Sequence, residues 1–259
     1  MINRKLSVTH KICLAAIFIV LAIICQKILA INYIAVIPFL RVSFGGPAII
    51  ILSSILLGPW YGLLVGLGSD ILGYFIFDPK NNVFFPQITA IYALLGFASF
   101  FIFIFVKKLI SEKVIKFVFP TFLAGALTAV ILTIWLVPSL KLYGGTYVLE
   151  LWQKISISAG LFVLTAILVV FVILYSMKNK DISVLKLSFA LLLDEILVMV
   201  MFGTLMKGLA FGFATYPVIL LCQIIVLFIN VPLNTILLTL LIRILKKRNI
   251  DCLVSFYLK

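Results

Sequence analysis

The sequence predicts an all-α, polytopic transmembrane helix bundle of about eight spans with its N-terminus inside, and three observations carry that expectation. With 65% hydrophobic residues, 11% charged residues and a mean hydropathy of +1.33, the chain is far more apolar than a soluble globular domain. The segments 42–69, 81–106, 117–140, 155–177 and 208–242 contain no Asp, Glu, Lys or Arg, and each supplies the roughly 20 apolar residues that a spanning helix needs. A backbone in lipid must satisfy its own hydrogen bonds, so such runs read as helices; the alternating segments of a transmembrane barrel are not visible.

Taken in order, the helices are expected at 12–30, 46–57, 59–77, 85–106, 117–137, 152–176, 184–206 and 216–245. The first follows Arg4, Lys5 and Lys11 but has no small-residue cleavage site and is long enough to span, so it reads as a retained helix. Pro47 and Gly58-Pro59 bracket the second, because proline suits the first turn of a helix and glycine the position just past its end. That helix is short, about 20 Å at 1.5 Å per residue, and needs neighbours to shield its ends. In the third, Gly62 and Gly66 continue at the same spacing to Asp70, placing small residues and a carboxylate on one face suited to close packing. A carboxylate in a span costs roughly 2.5–3.5 kcal/mol, so Asp70 is expected to face a cavity or a partner.

Net charge is +13, but its distribution is what informs. With eight crossings and the N-terminus inside, 15 of the 21 basic residues fall on the cytoplasmic side, a positive-inside asymmetry that puts both termini in the cytoplasm of a plasma-membrane protein. No aromatic-interleaved basic groove suggests nucleic acid. The four cysteines have no paired spacing, so neither a metal nor a redox site is expected. His10 reads as a solvated residue of the N-terminal tail. There is no nucleophile elbow, zinc-protease motif, phosphate-binding loop or dinucleotide fingerprint, so the chain reads as no enzyme, and any ATP hydrolysis belongs to another chain.

Arg41 is the candidate ligand for a substrate carboxylate. It is the only arginine between Arg4 and Arg243, it stands at the outer start of the short helix, and its planar fork suits bidentate recognition. Aromatic bodies with few polar groups surround it in sequence: Phe44 nearby, Tyr74 before the polar turn Asp78-Pro79-Lys80, and Phe84, Phe85 and Gln87 beyond it. Tyr33, Phe84 and Phe85 read equally as interfacial belt residues. Adjacent Asp194 and Glu195 in the seventh helix point about 100° apart and do not easily share one partner; protonation, pairing with Lys186 or Lys207, and a place along a polar pathway are the three readings open to them. Gln223, Asn230 and Asn234 are further polar groups at membrane depth, suited to interhelical hydrogen bonds.

Arg41-Val-Ser-Phe44-Gly-Gly-Pro47-Ala48, Leu57-Gly58-Pro59-Trp-Tyr-Gly62, Gly66-x-x-x-Asp70-x-x-Gly73 and Phe85-Pro86-Gln87-x-Thr89, in that order, resemble the substrate-binding S components of energy-coupling factor (ECF) vitamin transporters, most closely the folate family. The resemblance implies a six-helix core that binds folate or a related vitamin at its outer face without a cofactor. It implies Arg41, Phe44, Asp70, Tyr74, Phe85 and Gln87 near the ligand. It also implies an integral-membrane T component and two cytoplasmic ATPase subunits as partners, with Ala15, Ala16 and Ala22 standing where the family's small-residue interface on helix one would be. The region 12–106 matches best; 107–182 reads as an inserted hairpin and 183–245 as the family's last helix pair, although Leu132-Thr-Ile-Trp135 with Tyr143-Gly144 also resembles the start of that pair. Two other readings stand beside this one: an S component for another vitamin such as pantothenate, and a proton-coupled secondary transporter using Asp70, Asp194 and Glu195.

Overall fold

The computed structural model describes residues 7–29, 45–77, 84–109, 111–136, 140–142, 145–148, 150–178, 183–212 and 215–247. Arg41, Phe44, Tyr33, the Asp78-Pro79-Lys80 turn and Cys252 lie outside the described residues. Helices occupy nearly all of the rest: α1 (Val8–Ile23), α2 (Gly46–Leu57), α3 (Pro59–Phe77), α4 (Pro86–Leu109), α5 (Glu112–Leu136), α6 (Leu151–Lys178), α7 (Val184–Asp194), α8 (Gly203–Phe211) and α9 (Tyr216–Lys247). Among the described residues seven helical spans are long and apolar enough to cross a membrane, and the molecule is a multi-pass α-helical bundle. The described strand pairing is a small ribbon in the α5–α6 connection, Leu140–Leu142 against Gly145–Tyr147.

Two helices depart from the expected regular form. The last turn of α1 is a π-helix, Ile24–Ile28, and α7 runs into a longer π segment, Glu195–Phe202, before α8 resumes. Ser7 caps α1 by accepting from the His10 backbone N–H, so His10 belongs to the first helical turn rather than to a free tail.

All twelve residues of α2 are buried, enclosed by α1, α3, α4 and α9. Its sequence, apolar on every face, is what such a position requires. At its end Gly58 adopts φ 106°, a backbone conformation that side chains rarely tolerate, and Pro59 opens α3 immediately after it. The chain therefore reverses in one residue. This reversal lays α3 back along α2 and brings Gly62 against Ser54 of α2 and the Gly96 backbone of α4. One turn on, Gly66 meets the Tyr92 carbonyl in the same way. The small-residue face of α3 is thus a packing surface, with α4 as the partner.

α1, α2, α3, α4, the α7–α8 span and α9 form one connected bundle, whereas α5 and α6 pack on each other and on α7 and α9. The α5 contact is loose: an apolar crevice of ≈ 190 Å³ lies between α5, the π segment and α9, lined by residues including Leu123, Ala126, Ile196 and Phe228. Lys107 at the end of α4 and Lys186 at the start of α7 lie within electrostatic range, so the two ends that the hairpin separates in sequence are neighbours in space. Replacing residues 110–182 by a short Gly/Ser linker is therefore expected to leave a folded protein. The bared faces of α7 and α9 would exchange helix neighbours for lipid tails, which are as apolar as the side chains they replace. A single symmetric gel-filtration peak in detergent is the expected result, and aggregation would show the hairpin to be integral to the core.

Candidate functional site

Because the chain alternates direction, the end of α1, the start of α2, the end of α3, the start of α4, the end of α8 and the start of α9 share one mouth of the bundle. Asp70 is buried on α3, and the Thr89 hydroxyl on α4 donates to its Oδ2 at 2.5 Å. That bond joins two chain segments whose polar residues are otherwise isolated in apolar sequence. Gly73 and Tyr74 follow Asp70 by three and four residues and so extend the same helix face toward the mouth. The aliphatic stem of Lys27, from the π turn of α1, crosses α3 at Gly73, 3.1 Å from where a Cβ would be. Sequence reasoning did not single out Lys27; its signal was a lone cation at the C-terminal end of an otherwise uncharged span.

Aromatic rings complete this end. Tyr74 packs on Phe84 at 5.1 Å between centroids, and Phe85 packs on Phe211 of α8 at 4.8 Å. Both phenylalanines are half-buried and linked to other rings, which is more than a belt position requires. Gln87 stands in the first turn of α4 with its Oε1 buried and without a protein donor. Of the expected ligand residues, Asp70, Tyr74, Phe85 and Gln87 therefore stand at one end of the bundle, while Arg41 and Phe44 fall outside the described residues.

The three alanines of α1 divide. Ala15 and Ala22, 6% and 0% exposed, face into the bundle; Ala16 is exposed on the outer face among Ile12, Ile17 and Val20. Only Ala16 of the three stands where another chain reaches it, because residues seven apart return to one face of a helix whereas neighbours do not.

A second polar group lies near the middle of the bundle. Asp194 and Glu195, 0% and 1% exposed, sit where α7 becomes the π segment. As adjacent residues on a helix they take different partners. Ser99 of α4 donates to Asp194 Oδ2 at 2.6 Å, and Asn234 Nδ2 of α9 donates to Glu195 Oε1 at 3.3 Å. Asn230, one turn before Asn234, also hydrogen-bonds Glu195. Of the expected lysine partners, Lys207 of α8 lies within electrostatic range of Glu195 and Cys222. Close by, Thr235 donates to Ser188 at 3.4 Å, a further cross-link between α9 and α7.

The fold and these enclosed polar residues define a multi-pass membrane protein with one polar, aromatic-rimmed mouth and one carboxylate cluster at mid-depth. Comparisons with family models, with curated proteins and with solved structures give no match to this chain.

Proposed function

We propose that this chain is the substrate-binding membrane subunit of an ECF-type importer, taking up folate or a related vitamin through the mouth that holds Asp70, Tyr74, Phe85 and Gln87. The observation that carries the reading is the Asp70–Thr89 hydrogen bond. It ties the Gly66-x-x-x-Asp70 run to the Phe85-Pro86-Gln87-x-Thr89 segment, two of the runs that carry the resemblance. A buried carboxylate, a carboxamide oxygen without a donor and tilted aromatic rings suit a flat, polar-edged heterocycle, and an arginine suits its carboxylate tail. On this reading α1–α4, α7–α8 and α9 are the six-helix core, the α5–α6 hairpin is the addition, and Ala16 lies on the face offered to a T component. The positive-inside asymmetry of the sequence supports a cytoplasmic position for the opposite end and for both termini.

Equilibrium binding of labelled folate to the purified chain in detergent tests the reading, with unlabelled pantothenate and riboflavin as competitors. Binding without ATP that only folates displace supports it; displacement by pantothenate would reassign the vitamin. Arg41→Ala is expected to weaken binding by about 1.5 kcal/mol or more, the value of a hydrogen bond to a charged group. Unchanged affinity would remove Arg41 from the site. The buried Asp194–Glu195 pair favours a second reading, a proton-coupled carrier, for which uptake by the chain alone under a pH gradient is the discriminating result.

A further inference from the structure

The loosely packed hairpin leaves an apolar crevice that neither the mouth nor the mid-bundle carboxylates use. It has a volume of ≈ 480 Å³, is lined by residues including Phe117, Phe122, Gly125 and Ala126 of α5 and Ile196 of the π segment, and meets the smaller α5 crevice at Ala126 and Ile196. Its depth follows from helix register. α5 and α7 run in the same direction and meet ring to ring at Phe119 and Phe189, 6.4 Å between centroids, so Ala126 and Ile196, each seven residues on, stand at about one level. Phe117 to Ala126 is about 14 Å at 1.5 Å per residue, close to half of a hydrocarbon core about 30 Å thick. The crevice is therefore as deep as one leaflet. Its wall asks for no polar occupant, because the Thr121 hydroxyl donates to the Phe117 carbonyl of its own helix at 2.8 Å. Nothing lies within 4 Å of an added Cβ at Gly125, so there is open space at that point.

Charge marks the shallow end of this crevice. Only residues 110 and 111 part α4 from α5, so Lys107 and Lys108 stand at the end of α5 where the crevice begins. Lys107 lies within electrostatic range of both Lys108 and Lys186. On α7, Lys186 and Leu193 are the two residues from Val184 to Asp194 that are not fully enclosed; seven apart, they share one face, and Ile196 continues it into the crevice. The segment 107–116 holds four lysines against one acidic residue, Glu112. Like charges gathered at the end of a hydrocarbon-lined cleft one leaflet deep suit a molecule with an anionic head and an acyl tail. We propose that the α5 crevice binds one anionic phospholipid, with a tail along Phe117, Phe122, Gly125 and Ile196 and its phosphate held by Lys107, Lys108 and Lys186. A zwitterionic lipid fits the cleft equally well but leaves the repulsion among the lysines uncompensated. The site stands on residues separate from the mouth and does not depend on the vitamin assignment.

Native mass spectrometry of the full chain tests the proposal, with the protein released from micelles that hold phosphatidylglycerol and phosphatidylcholine of identical acyl chains in equal amounts. Retention of one phosphatidylglycerol, about fivefold or more over phosphatidylcholine, is the expected result. Lys107→Gln combined with Lys186→Gln is expected to bring the two lipids close to equal retention. Gly125→Leu places a side chain in the open crevice while leaving every lysine in place, and is expected to lower phosphatidylglycerol retention to a similar extent. That variant decides the matter should the lysine variant fail to fold. Equal retention of both lipids by the wild-type chain would overturn the proposal, and so would a phosphatidylglycerol preference that survives in Gly125→Leu. Retention of neither lipid would also overturn it and leave the crevice to a helix of another chain.

Discussion

Gly96→Ala is expected to yield no stably folded protein. An added Cβ at this position lies 2.0 Å from the Gly62 carbonyl oxygen and 2.3 Å from its carbon, distances that no side-chain rotation relieves because both atoms are backbone. The mirror positions confirm how closely the two helices approach: a Cβ at Gly62 meets the Gly96 carbonyl at 2.3 Å, and one at Gly66 meets the Tyr92 carbonyl at 2.1 Å. α3 and α4 would have to separate, and α2, wedged against Gly62 through Ser54, would move with them. Overpacking with side-chain relief costs about 1–3 kcal/mol, and a backbone–backbone clash belongs at or above the top of that range. Gly125→Ala and Gly160→Ala provide the contrast. Nothing lies within 4 Å of an added Cβ at either, so both are expected to gain helix propensity and stabilise by about 0.5–1 kcal/mol. Thermal unfolding in detergent of the three variants checks the pattern, and a Gly96→Ala midpoint equal to wild type would mean that the α3–α4 contact is looser than described.

These glycines also mark where sequence stops informing on such a chain. Gly62 and Gly66 are readable as a packing face because they recur at helical spacing beside Asp70, but their partner Gly96 stands alone in α4 and carries no pattern. The ends of α2 are legible because Pro47, Gly58 and Pro59 act through backbone chemistry that does not depend on neighbours. The orientation of α1 is not legible, since lipid-facing and core-facing positions are equally apolar; Ala15 and Ala16 differ only once the neighbouring helices are in place. The same uniformity hides the π segment, because a helix that is apolar all round gives no phase from which an extra residue per turn can be detected. Asp194 and Glu195 stand out in sequence as charges in a span, yet their partners Ser99 and Asn234 are 95 and 39 residues away and follow only from the packing.

The mouth poses the same question of partner and role, and Asp70→Ala is expected to separate the two. Removing the carboxylate takes away the acceptor of the Thr89 hydroxyl across the α3–α4 contact, an interhelical bond worth about 0.6–1.7 kcal/mol in a membrane bundle. That loss alone gives a modest drop in the unfolding midpoint. If Asp70 also meets the ligand, affinity for the proposed vitamin falls by about 1.5–3 kcal/mol, tenfold to more than a hundredfold, as for other hydrogen bonds to a charged group. Thr89→Val breaks the same interhelical bond while leaving the carboxylate in place. It is therefore expected to match Asp70→Ala in stability and to retain much more of the binding. The double variant should bind no worse than Asp70→Ala, because the two residues share one contact and their effects do not add. Should Asp70→Ala lower the midpoint and leave binding untouched, Asp70 is a staple between α3 and α4 and the ligand is held by other groups. Should both fall while Thr89→Val loses only stability, the Asp70 carboxylate itself meets the ligand, and Thr89 is the residue that holds it in position.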